Sequence, residues 1–207
     1  MKRKPEVVKQ AQLAVLEVCS GKETLRTSGV STCICLLAKG QYGAHSFIAM
    51  YHWEGFSESL DKQAVNASEQ AIAEITTVLA QYALGIKRSF SRASREEKPV
   101  LESMHIIGGE RGTPYLSGTE LEVETLRQCL PELCEEYFQI TPETRYDYKT
   151  YLTDSYACHS NTVIFKPSGV KIISDDLDEE DDTTSEDISD FFPEKSEERL
   201  PRRRRIR

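Results

Sequence analysis

The chain lacks any apolar run of about 18 residues, the length a helix needs to span a bilayer, so no transmembrane helix is expected. Its start, MKRKPEVVKQ, is basic but has no apolar stretch behind it, which argues against a classical secretion signal. Six cysteines in 207 residues are too few for a disulfide scaffold, and no C-x-x-C pair is among them. The thiols are therefore read as reduced, as in a cytoplasm. A bulk basic charge is also missing. The formal net charge is -8, yet residues 175–207 alone hold 13 acids against 7 bases, leaving the rest with 21 against 19. A body so close to neutral carries no signature of nucleic-acid binding. Internal repeats are lacking too.

What remains is a globular composition, 39% hydrophobic and 29% charged. It suits one domain over residues 1–173, followed by a tail over 174–207 that is dense in like charge and poor in apolar residues. Such a tail is expected to be disordered. Its end, PRRRRIR, would suit nuclear localisation, a membrane surface or the preceding acidic run.

Two segments read as helices. In NASEQAIAEITTVLAQYALG, Asn66 and Glu69 have the spacing of a capping box. Ile72, Ile75, Val78, Leu79 and Tyr82 recur with helical period, and Gly85 is the expected stop. In SGTELEVETLRQCL, Ser117 and Glu120 have the same capping spacing. Leu121, Leu126, Cys129 and Leu130 would face inward, and Pro131 should end or kink the helix. QLAVLEV, STCICLL, SFIAMYHW, LESMHIIGG and NTVIFKPSGVKII read as strands, with a hairpin turn in KPSGVK. Residues 87–99 read as an exposed loop. The order of elements predicts an α/β layered sandwich, a mixed β-sheet core with two main helices.

The stretch TSGVSTCICLLAKGQYGAH, residues 27–45, concentrates the chemistry. Cys33 and Cys35 lie two apart in a strand-like run, so they share a face. Three readings are open. Both may fill a core, as free cysteines often do. Both could bind a metal with His45, although a fourth ligand would have to come from afar. Or one is a nucleophile, with His45 brought back by a hairpin and Gly29 letting the chain turn amide groups toward an oxyanion. His52, His105 and His159 read as surface or structural histidines. Gly108 and Gly109 read as a tight turn. Tyr146, Tyr148, Tyr151 and Tyr156 suit either a half-buried edge strand or a partner surface.

TSGVSTCI resembles the Thr-x-Gly-x-x-Ser/Thr-Cys stretch of bacterial protein-glutamine deamidases, which include the chemoreceptor deamidase CheD, the catalytic domains of cytotoxic necrotizing factors and a deamidating lethal factor. Thr27 stands six residues before Cys33 and His45 twelve after it, similar to the lethal-factor branch; the CheD branch has a longer gap to its histidine. HIIGGERG, GTELEVETLRQCL and NTVIFKPSGVKI resemble the later strand, helix and hairpin of CheD. The Leu-Pro that follows the CheD histidine is replaced here by SFIAMYHWEG, and residues 131–160 form a longer segment.

The resemblance implies a cysteine hydrolase that converts a glutamine of a target protein to glutamate through a thioester, without a cofactor or metal. Cys33 would be the nucleophile, His45 the acid and base, and Thr27 the group orienting the imidazole; Cys35 would be a core neighbour. The same thioester would serve a transglutaminase. The expected partner is a protein presenting a glutamine, and the expected state is a monomer. The expected location is the cytoplasm, or a host cell reached as a toxin-like effector whose acidic tail aids delivery. The alternative is a deamidase-like binding module that docks on a signalling protein.

Overall fold

β4 (Ile34–Tyr42) alternates its side chains between two apolar surroundings, and that alternation sets the architecture. Ile34, Leu36 and Ala38 join one core cluster, while Cys35 and Leu37 join another. In this computed structural model, residues 4–56, 67–90, 97–112, 118–154 and 159–175 are described.

β4 is the centre of a five-stranded sheet. With β2 (Leu13–Glu17), β5 (His45–Trp53), β6 (Val100–Arg111) and β7 (Gln139–Asp154) it forms the order β2-β5-β4-β6-β7. A four-stranded sheet contains β1 (Glu6–Val7), β3 (Leu25–Val30), β8 (Asn161–Lys166) and β9 (Gly169–Ser174), in the order β1-β3-β8-β9. Both sheets are mixed: β1 runs parallel to β3, β6 runs parallel to β7, and the other pairs are antiparallel. Leu25, Val163 and Phe165 of the smaller sheet pack against Cys35, Leu37, Ile48, Met50 and Ile107 of the larger. The opposite face of the larger sheet is covered by α1 (Ala67–Ser89) and α2 (Glu120–Tyr137). The result is the expected α/β sandwich, layered as helices, sheet and sheet.

The helices differ from the pattern expected of them. On α1 the buried stripe is Ala71, Ile75, Leu79, Tyr82 and Ile86, whereas Ile72 is exposed. Gly85 does not stop α1, which continues to Ser89. A Cβ at Gly85 would lie 2.1 Å from Leu13 Cδ2, so this glycine lets the helix approach β2 closely. Nor does Pro131 end α2. A helix-internal proline costs about 3 kcal/mol, but the turns beyond it bring Cys134 and Phe138 fully into the core. Burying a large apolar side chain returns about 1.5–3 kcal/mol, enough to offset that cost. The first residue described in α1 is Ala67, so the proposed cap at Asn66 lies outside the described residues, as does Ser117. Thr119 stands at the N-cap of α2 and makes no side-chain capping bond.

The KPSGVK hairpin forms as expected, with Phe165 opposite Val170. Residues 139–154, whose tyrosine run suits a half-buried edge strand, form β7, the edge strand beside β6. Tyr146, Tyr148 and Tyr151 lie half-buried against the helix-side core. β9 reaches Ser174, and Asp175 accepts hydrogen bonds from Ser160 Oγ and Thr162 Oγ1. That acid belongs to the fold; residues 176–207, the bulk of the tail, lie outside the described residues.

Tyr82 ties the helix layer to the sheet beneath it. Its hydroxyl lies 2.8 Å from the carbonyl oxygen of Ala49 and 3.1 Å from that of Leu36, in a fully buried setting. Tyr82→Phe should therefore lower stability by about 0.5–1.5 kcal/mol, read as a lower denaturation midpoint with an unchanged slope in urea.

Candidate active site

Three local features fix the position of Cys33. First, β3 ends in a bulge. Its register against β8 shifts between Thr27 and Val30, and Gly29 within the shift has φ +74°. A left-handed backbone of this kind suits glycine, and it turns the chain from the smaller sheet toward the larger. Second, Thr153 Oγ1 at the end of β7 donates to Ser31 O at 3.2 Å, tethering the connecting segment. Third, Gly109 N donates to Cys33 O at 3.0 Å. Gly108 has φ +112°, and a Cβ there would stand 2.5 Å from Cys33 O and 2.7 Å from Val30 Cγ1. Gly108 and Gly109 thus lie within β6, where they grip the cysteine's carbonyl rather than form a separate turn.

The hairpin does not return His45 to Cys33. β4 and β5 pair with Tyr42 opposite His45 and Ile34 opposite Trp53. His45 is the first residue after the turn, so the whole length of β4 separates it from Cys33, on the order of 30 Å at 3.3 Å per residue. It instead bonds Glu17 Oε1 through Nδ1 at 2.6 Å and stacks on Phe90. The pairing of His45 with Cys33 expected from spacing is therefore corrected. Cys33, Cys35 and His45 do not converge as metal ligands either. Among the described residues, no group of three or more His, Cys, Asp and Glu side chains is placed to share a metal ion.

The histidine at the cysteine end is His52. It pairs directly opposite Cys35, and Cys33 stands just ahead of the ladder, which begins with Ile34 opposite Trp53. Thr27 Oγ1, reaching across from the smaller sheet, lies 2.7 Å from His52 Nδ1. Both side chains are buried, at 1% and 2% exposure. His52 Nε2 is buried without a hydrogen-bond partner among the described residues. One N-terminal turn touches both groups: Ala11 N donates to His52 O at 2.8 Å, and Gln10 Nε2 donates to Cys33 Sγ at 3.6 Å. The structure thus brings Thr27 together with His52, at the end of the β4–β5 ladder where β4 begins after Cys33.

Electrostatically the pair rests neutral. Burial pushes the Cys33 thiol above its ordinary pKa, with Glu54 adding to the rise and a Thr32 hydrogen bond opposing it. Burial also lowers the His52 pKa, against the opposing influence of Glu54. Cys35 is fully enclosed, and burial pushes its thiol far up. Cys129 and Cys134 lie on the buried face of α2, and Cys19 is on the surface. His105 bonds Asp147 at 3.3 Å and meets Phe165 edge-on, a structural setting. Tyr156 and Cys158 lie outside the described residues.

The chain is similar to one domain of known structure. This is the C-terminal domain of CNFy from Yersinia pseudotuberculosis, matched at a TM-score of 0.32 and 11% sequence identity. The match covers 81% of this chain and 54% of that one, so it spans about half of that domain. So remote a likeness assigns no function. No protein-family model and no curated protein matches the chain. No helix among the described residues is long and apolar enough to cross a membrane.

Gly108→Ala tests the grip on Cys33. A methyl group at that position meets main-chain oxygen, which cannot swing aside, and the residue must hold a left-handed φ. The variant should lose about 1–3 kcal/mol of stability, measured by urea denaturation.

Proposed function

We propose that the chain is a cysteine-dependent protein-glutamine deamidase in which Cys33 is the nucleophile, His52 the acid and base, and Thr27 the residue that orients the imidazole. The observation that carries this reading is the buried Thr27–His52 hydrogen bond, at the same end of the β4–β5 ladder as Cys33. The choice of substrate rests on the resemblance of TSGVSTCI to the deamidase motif. Replacing His45 by His52 keeps the nucleophile and the threonine of that motif.

For Nε2 to accept a proton, Nδ1–H must donate to Thr27 Oγ1; the hydroxyl then holds the tautomer, as the third member of a triad does. With a neutral thiol and a neutral imidazole, His52 takes the Cys33 proton as sulfur attacks the substrate carboxamide carbon. His52 then protonates the departing nitrogen, and ammonia leaves a thioester. Water deprotonated by His52 releases glutamate and restores the thiol. The substrate would be a glutamine of another protein, and the host-cell setting of a toxin-like effector belongs to the same proposal.

Incubating a library of glutamine-bearing peptides with the protein should produce amide-to-acid conversion, a gain of about 1 Da that mass spectrometry reads directly. Cys33→Ser and His52→Gln should each abolish it, whereas His45→Ala and Cys35→Ser should leave it largely intact. Loss with His45→Ala and retention with His52→Gln would sink the assignment.

The pH dependence follows from the same two groups. The base is active when His52 is neutral, and its pKa is depressed. The acid limb of kcat/KM should therefore fall below the ordinary histidine value of about 6.5, with the rate rising as pH passes that limb. Alkylation of Cys33 by iodoacetamide without substrate should stay slow at neutral pH and climb into the alkaline range, since burial holds the resting thiol protonated.

A further inference from the structure

One carboxamide already stands against the Cys33 sulfur, and it belongs to the chain itself. Gln10 Nε2 lies 3.6 Å from Cys33 Sγ. The turn that carries it is pinned on both sides. Before it, Val8 is buried, and its N–H donates to Arg26 O next to Thr27. After it, Ala11 N donates to His52 O, and His52 N donates to Gln12 O at 3.2 Å. The turn is closed internally by Gln12 N to Lys9 O at 3.1 Å and by Lys9 N to Gln12 Oε1 at 3.3 Å. Ala11 holds a left-handed φ of 55° at its tip. Gln10 is thus presented by a tight turn whose far side is hydrogen-bonded to the main chain of the proposed base. The residue itself is exposed.

We infer that Gln10 is an internal substrate of Cys33, converted to glutamate by the chain itself; this rests on the deamidase reading above. Cys33 Sγ bonds to Gln10 Cδ while His52 takes the thiol proton and the carbonyl electron pair moves to Oε1. The pair returns, the Cδ–Nε2 bond breaks, and His52 hands its proton to the nitrogen, which leaves as ammonia. Water, giving a proton to His52, adds to Cδ of the thioester. The S–Cδ bond breaks, and sulfur regains a proton. One water is consumed and one ammonia released, with no oxidant or reductant. The product carries a carboxylate beside the Cys33 sulfur, on the same side as Glu54 in sign, and two such charges oppose thiolate formation. Self-conversion would therefore slow the site that performed it.

The test compares full-length wild type, Cys33→Ser and His52→Gln by peptide mapping of residue 10, with the glutamine peptide library assayed in parallel. Wild type should carry glutamate at position 10, a shift of about 1 Da, at a rate unchanged by dilution. Both variants should keep the amide. Equal conversion in wild type and Cys33→Ser would mean spontaneous hydrolysis and overturn the inference, as would a rate that falls with dilution. Cys33-dependent conversion of library peptides with Gln10 left as the amide would overturn it while leaving the proposed function standing. Conversion of neither would overturn both.

Discussion

The hydrogen bond from Gly109 N to Cys33 O is the joint around which the candidate site is assembled. It exists because Gly108 presents no side chain to that carbonyl. With β6 closed against Cys33, the chain passes from the end of β3 in one sheet to the start of β4 in the other. Thr27 then faces His52 from the opposite layer. The threonine comes from one sheet and the histidine from the other, so their 2.7 Å contact requires the sheets to be packed in one relative position. The apolar contacts of Leu25, Val163 and Phe165 with Cys35, Leu37 and Ile107 hold that position.

Much of this was legible in the sequence. The strands around Cys33, the two helices, the final hairpin and the layered α/β class all followed from periodicity and turn residues. So did the special backbone at Gly29. What spacing could not give was the register of the β4–β5 hairpin. Placing the turn anywhere in AKGQYGA satisfies the pattern, yet only a turn at Gly43 and Ala44 pairs Cys35 with His52. The histidine nearest in sequence is therefore the farthest along the ladder. The signal that points to His52 is the rule that paired residues in an antiparallel hairpin sit equally far from the turn.

The helix ends depart from the sequence pattern for a related reason. Gly85 and Pro131 are stop signals in isolated chains, but here tertiary contacts override them. One lets α1 close on Leu13, and the other sits in a helix whose last turns are needed in the core. Local preference of a few kcal/mol yields to burial of comparable size. The capping positions Asn66 and Ser117 and most of the tail fall outside the described residues.

β4 is buried on both faces, with alternate residues committed to different cores. That makes it a ruler as well as a wall. A slip by one residue would exchange the contents of the two cores and rotate every side chain to the wrong layer. The position of the Cys33 thiol is thus held by shape complementarity along the whole strand, far beyond its own few contacts. In such an arrangement, insertions and deletions within residues 34–53 are constrained by chemistry at one end of the hairpin, even when they occur at the other.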